Sequence, residues 1–194
     1  MDIKRFDRIK EKYQYYASWA VWAEKGAKAK SNVGDLSILD PTVNKQLLET
    51  LKPNKILVAL NISKGDIKKP FGNFHSNYNR AHDYKIRYAV KDTPLWGAYM
   101  TDIIKDFENL IASNVTRYLN DNPKFEAKNI EFFKQELMDI GSDKPKLIAF
   151  GNAAYDILER NFRDEFEIFK IPHYSAPINH DDYRNEVIKL CKGM

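Results

Sequence analysis

Four short apolar runs, each of strand length and each separated from the next by a helical stretch, constrain this chain more than any other feature. They are Lys55–Leu60 (KILVAL), Ala98–Thr101 (AYMT), Lys146–Phe150 (KLIAF) and Phe166–Ile171 (FEIFKI). Runs of this kind, without polar alternation, are what strands buried on both faces look like. Helical periodicity covers Tyr84–Lys91 behind a possible Asp83 cap, Phe107–Leu119, Phe125–Ile140 closing at Gly141, Asn152–Phe162 and Asp181–Lys192. Strands alternating with helices imply βαβ units. The expected class is α/β: a three-layer αβα sandwich around a short, mainly parallel four-stranded sheet.

A helical extension is expected in front of it. Phe6, Ile9, Tyr13, Tyr16, Ala20 and Ala23 recur at helical spacing, so Lys4–Lys28 reads as a helix. Asp40-Pro41 reads as the start of a second, short helix ending near Leu51. Residues 1–52 then form a helical N-terminal part and 53–194 the core of one domain. The chain has 194 residues, 43% of them hydrophobic, enough to bury such a core.

Several chemistries are excluded by what is missing. The single cysteine, Cys191, rules out an intrachain disulfide, a multi-cysteine zinc site and a Cys-ligated iron–sulfur cluster. The phosphate-binding G-x-x-x-x-G-K-[ST] loop, the dinucleotide G-x-G-x-x-G motif and the hydrolase G-x-S-x-G elbow are absent. His75, His82 and Asp83 match no strong metal-ligand spacing. No cofactor and no metal are expected. No apolar run reaches the length of a signal peptide core or a membrane span, so a cytoplasmic monomer with no membrane partner is the expectation.

The polar residues that follow the strands carry the functional information. KILVAL leads into Asn61, AYMT into Asp102, KLIAF into Gly151 and Asn152, and FEIFKI into Pro172 and His173. In an open parallel sheet the carboxyl ends of the strands share one edge, and ligands bind there. The stretch from Asn61 to His82 is a long loop that mixes aromatics, amides and bases, a composition suited to stacking on a base and neutralising phosphates. The net charge is only +4, yet Lys4, Arg5, Arg8, Lys10 and Lys12 cluster at the start and Lys64, Lys68, Lys69 and Arg80 in this loop.

Taken in order, these motifs resemble the uracil-DNA glycosylase superfamily. KILVALNISKG is similar to its first motif, in which a strand ends in an Asp or Asn that handles the attacking water. AYMTDIIK resembles its middle strand, LIAFGNAAYDIL its later strand–Gly–helix segment, and IPHYSAPIN its closing H-P-S-P-L motif. The resemblance spans about Lys55 to Asn179. It implies cleavage of the N-glycosidic bond of uracil or another altered base in DNA, with Asn61 and His173 catalytic. Phe74, or Phe71 in competition with it, would stack on the base, Asp102 would read its edge, and Ser63 would replace the Tyr that excludes thymine in the strictest branch. Lys64, Lys68, Lys69, Arg80, Gly151, Asn152 and Ser175 would contact nucleic acid, with Ile178 where the family carries a wedging Leu. Two departures stand out. The base-reading Asn of the family falls on Asp102, whose ionised form offers only acceptors. The last motif also has one extra residue between His173 and Ile178.

Each residue has a structural reading beside the functional one. Asn61 can cap a turn, His173 can be a satisfied core histidine and Asp102 can cap a helix beginning at Ile103. Gly151 can let a helix pack close to its strand, the two Phe and Ile178 can be core, and the lysines can be a solvated face. Two non-catalytic functions stay open: a nucleic-acid or nucleotide binder using the same cleft, and an interaction protein on the same fold.

Overall fold

The computed structural model describes residues 1–62 and 67–194. In chain order they form α1 (Ile3–Tyr13), β1 (Ala17–Trp19), a 3₁₀ turn (Leu36–Leu39), α2 (Leu47–Thr50), β2 (Lys52–Asn61), α3 (Asp83–Val90), β3 (Ala98–Ile104), α4 (Ala112–Asp121), α5 (Pro123–Ile140), β4 (Lys146–Phe150), α6 (Gly151–Phe162), β5 (Ile168–Ile171) and α7 (His180–Gly193). The sheet order is β1-β3-β2-β4-β5, parallel throughout except for β1, which runs antiparallel to β3.

Side-chain alternation along the central strands builds two cores. Ile56, Val58, Tyr99, Leu147 and Ala149 face one way, packed by α1, α4, α5 and α6. Leu57, Ala59, Met100, Ile148 and Phe150 face the other, packed by α3, α7 and two loops, Trp22 coming from the one after β1 and Phe74 from the one after β2. Both faces are therefore covered, which explains why the strands carry no polar alternation. The architecture is the expected three-layer α/β sandwich. Among the described residues no helix is long and apolar enough to cross a membrane.

The N-terminal third differs from expectation. The helix read over 4–28 ends at Tyr13. Tyr16 to Trp22 is rich in aromatics, and its Ala17, Ser18 and Trp19 are buried as a fifth strand on β3. Pairing with an open sheet edge satisfies their backbone groups and outweighs a helical spacing carried there only by Tyr and Ala. The sheet thus has five strands, not four, and residues 1–52 are not a purely helical part: β1 belongs to the core sheet. Asp40 starts a turn rather than a helix, because its carboxylate accepts from the N–H and hydroxyl of Thr42 (2.8 and 2.7 Å). Only Leu47–Thr50 is helical there.

Smaller shifts matter more for the site. β3 runs on to Ile104, so Asp102 lies inside a strand and caps no helix, as its pairing with Ala59 of β2 requires. The segment read as helical from Phe107 is loop until Ala112. His82 occupies the cap position of α3, and Asp83 is its first residue. Gly141 does end α5, in the left-handed region at φ 71°.

Candidate functional site

Asn61 ends β2, Asp102 lies two residues short of the end of β3, Gly151 follows β4 and His173 follows β5 by two residues. All sit at the carboxyl edge of the parallel strands. Strand alternation also puts Asn61, Asp102 and Phe150 on the face packed by α3 and α7.

Asp102 is the most deeply placed of them, 2% exposed. Its Oδ2 accepts from Asn73 Nδ2 (2.7 Å). Asn73 also donates to the Tyr16 carbonyl (2.8 Å), and its Oδ1 accepts the Phe74 N–H (3.1 Å). The loop after β2 is therefore pinned at its centre to β3. Burial, opposed by the Asn73 hydrogen bond and the Lys105 charge, pushes the Asp102 carboxyl up to about 7.

Phe71 and Phe74 flank this anchor with φ of 57° and 63°, the left-handed region that costs a non-glycine residue about 1–2 kcal/mol. The two rings go to opposite sides of the sheet. Phe71 packs on Phe6 of α1, centroids 5.6 Å apart, in the core away from the site. Phe74 packs against Phe150 and Tyr174 at 6.2 and 6.4 Å. Of the two, only Phe74 shares its ring neighbours, Phe150 and Tyr174, with His173.

His173 is half-buried, stacked on Tyr174 (centroids 4.3 Å, planes 25° apart) and edge-on to Phe150. Its Nδ1 accepts from the Ser175 N–H (3.1 Å), with Ser175 Oγ at 2.8 Å. A main-chain N–H can only donate, so the proton of the neutral ring sits on Nε2. Burial, aided by His82, holds the ring down to about 4 and hence neutral at pH 7. Gly151, at φ 81°, lets α6 begin here: a Cβ would come within 3.2 Å of the His173 Cβ. That is the close-approach role, made at the site itself.

Asn61 stands apart from this cluster. Its Nδ2 lies 2.9–3.1 Å from the carbonyls of Ile62, Phe107 and Asn109, so both amide hydrogens hold the loop after β3. Beside that loop, at the same edge, Tyr15, Tyr16, Ile62, Ile67 and Phe107 line a shallow cavity of about 370 Å³. Neither Asp102 nor His173 is among its described lining residues.

The remaining expected contacts are peripheral. Lys68, Lys69, Arg80, Asn152 and Ser175 are exposed, and no carboxylate among the described residues pairs with the three cations. Ser63 and Lys64 lie outside the described residues. Ile178 is packed against the α3/α7 core.

Sequence reasoning missed four residues at this edge. Asn73 gave a signal only as an amide between two phenylalanines in a loop. Lys85, 6% exposed on α3, donates to the carbonyls of Ala176 and Ile178 (3.1 and 2.7 Å) and so holds the His173 loop. Leu110 and Ile111, 72% and 55% exposed, form an apolar tip on the carboxyl edge. Among the described residues no group of His, Cys, Asp and Glu is arranged to hold a metal ion. Comparison of the chain with family models, curated proteins and solved structures returns no match.

Proposed function

We propose that this protein is a DNA glycosylase of the uracil-DNA glycosylase type, acting on uracil or another altered base. One observation carries the reading. A neutral histidine with its proton on Nε2 sits at a carboxyl-edge loop, in one cluster with a buried edge-reading group and an aromatic ring.

The chemistry needs these parts. Glycosidic cleavage proceeds through an oxocarbenium-like sugar while the base leaves as an anion, and a positioned donor stabilises the charge that develops on the base. His173 Nε2–H is such a donor. Phe74 offers a ring beside the base, and Asp102 reads its edge. Asn61 takes the water: with Nδ2 held by main-chain carbonyls, its role falls on Oδ1 as an acceptor that orients the nucleophile without deprotonating it. A base must leave the stack to be reached. The exposed Leu110–Ile111 tip suits the wedge role better than the packed Ile178. Lys68, Lys69 and Arg80 supply phosphate contacts.

The commitment of the Asn61 amide to the loop after β3 favours a second reading, a binder of nucleic acid or nucleotides that releases no base. One assay separates the two. Oligonucleotides carrying uracil, hypoxanthine, xanthine or a thymine mismatch are incubated with the protein, and abasic sites are then cleaved. Strand breaks at one lesion are expected. Tight binding with no break at any lesion replaces the first reading with the second.

A further inference from the structure

The cavity beside the loop after β3 is separate from the His173 cluster and has a different chemistry. Its walls combine three aromatic residues, Tyr15, Tyr16 and Phe107, with two carboxylates, Asp106 and Glu108, and no described lysine or arginine lines it. Its volume, about 370 Å³, is that of a small-molecule site. Asp106 accepts from the Tyr16 hydroxyl (3.3 Å) and pairs with no cation among the described residues. The neighbouring Lys105 is committed to Glu136 behind the strand.

The walls are fixed before any ligand arrives. Asn61 holds the carbonyls of Phe107 and Asn109 (2.9 and 3.1 Å). Phe107 stacks on Tyr118 (centroids 4.3 Å, planes 23° apart) and meets Phe125 edge-on. Tyr16 packs edge-on to Phe132, and its carbonyl accepts from Asn73. Burial and the Asp106 charge hold the Tyr16 hydroxyl above its ordinary range, so it stays protonated beside the carboxylate. An anion would meet two like charges here, and an uncharged ligand would use the rings alone. A cation is attracted by ring faces and carboxylates together.

We propose that this cavity binds a small organic ammonium ion, with the rings of Tyr15, Tyr16 and Phe107 around its alkyl groups and the carboxylates of Asp106 and Glu108 against its charge. The site goes beyond the glycosylase reading and does not depend on it: no member of the His173 cluster is among its described lining residues, and Asn61 serves it only by fixing the backbone of residues 107–109. A hard metal ion fits less well, because aromatic rings stand where such an ion needs oxygen ligands.

The test is NMR titration of the full chain with choline and with neohexyl alcohol, its uncharged isostere, for the wild type, Asp106→Asn, Tyr15→Phe and Tyr15→Leu. Asp106 sits at φ 58°, a conformation that Asn also adopts, and Tyr15 is 49% exposed, so these variants are expected to keep the fold, which their amide spectra report. Choline is expected to produce saturable shifts that include the backbone amides of residues 106–108, and to bind roughly tenfold more tightly than the alcohol. Asp106→Asn and Tyr15→Leu are each expected to weaken choline on the order of fivefold, while Tyr15→Phe, which keeps a ring, binds it as the wild type does. Equal affinity for choline and the alcohol, choline binding that neither Asp106→Asn nor Tyr15→Leu weakens, or no saturable shift with choline overturns the proposal. Tighter binding of inorganic phosphate than of choline at the same amides overturns it as well. A chain that releases no base from DNA leaves this inference standing, and a chain that ignores choline leaves the glycosylase reading standing.

Discussion

The two faces of β3 treat buried charged groups in opposite ways, although Trp19 Nε1, in the core on the α5 side, also has no described partner. On the α5 side, Tyr99 and Thr101 donate to Glu136 (2.7 and 2.9 Å), Lys105 pairs with the same carboxylate, and the Lys105 N–H donates to Asn129 (2.6 Å). Lys105 and Glu136 are 3% and 0% exposed as side chains, and each is matched. On the α3 side, Asp102 has one described partner for its two oxygens, Asp83 is pushed up to about 6 by burial, and the Trp22 Nε1, His82 Nδ1 and Tyr183 hydroxyl have no described partner. The adjacent residues Thr101 and Asp102 thus belong to a closed network and an open one. Closed networks hold structure together, whereas displaced pKa values and unmatched groups are what the proposed site offers a ligand.

Breaking the closed network is expected to have the largest effect. Glu136→Ala leaves the Lys105 ammonium buried and unmatched, at a cost of roughly 3–5 kcal/mol in denaturant unfolding. Replacing both partners, Lys105→Met with Glu136→Leu, is expected to recover much of that loss. If the single and double variants unfold alike, the pair is not the unit described here.

The open side answers in the other direction. The folded Asp102 carboxyl is raised from 3.8 to about 7, so between those values the folded chain binds the extra proton and wild-type stability falls as pH rises. Asp102→Asn removes that loss. Its stability relative to wild type is expected to climb from pH 4 to 7 and then level off, a change on the order of 2–4 kcal/mol. A difference that does not vary with pH contradicts the assignment.

A smaller effect is expected from Lys85→Met. It strips the donor from the Ala176 and Ile178 carbonyls, and faster amide exchange over residues 173–179 reads this out, with a stability loss of about 1–3 kcal/mol. The smallest change in stability, within about 0.5 kcal/mol, is expected from Lys68→Ala, Lys69→Ala and Arg80→Ala. Under the proposed phosphate-contact role, the substitutions are expected to lower DNA affinity and to make its salt dependence shallower with each cation removed.

The central sheet was legible because a doubly buried parallel strand leaves an uninterrupted apolar run, as KILVAL and KLIAF do. The edge strand Ala17–Trp19 was not, because three residues have no period and their pairing with β3 is non-local. The carboxyl-edge placement of Asn61 and His173 followed from strand ends alone. Their surroundings did not: the hold of Asn61 on residues 107–109 and of Asn73 on Asp102 span 46–48 and 29 positions in sequence, contacts that no local pattern encodes. The end of β3 was misplaced for a related reason. Asp102 resembles a cap in sequence and sits in a strand only because β2 extends beside it.

The central claim is that His173 acts on charge that develops as the base departs, and the direct measurement is single-turnover base release by wild type and His173→Ala, with DNA affinity measured in parallel. The donor acts mainly in the transition state, so release is expected to fall by about 10²–10³ while affinity changes by no more than a few-fold. Release unchanged in His173→Ala, or a loss of release matched by an equal loss of DNA binding, would contradict it.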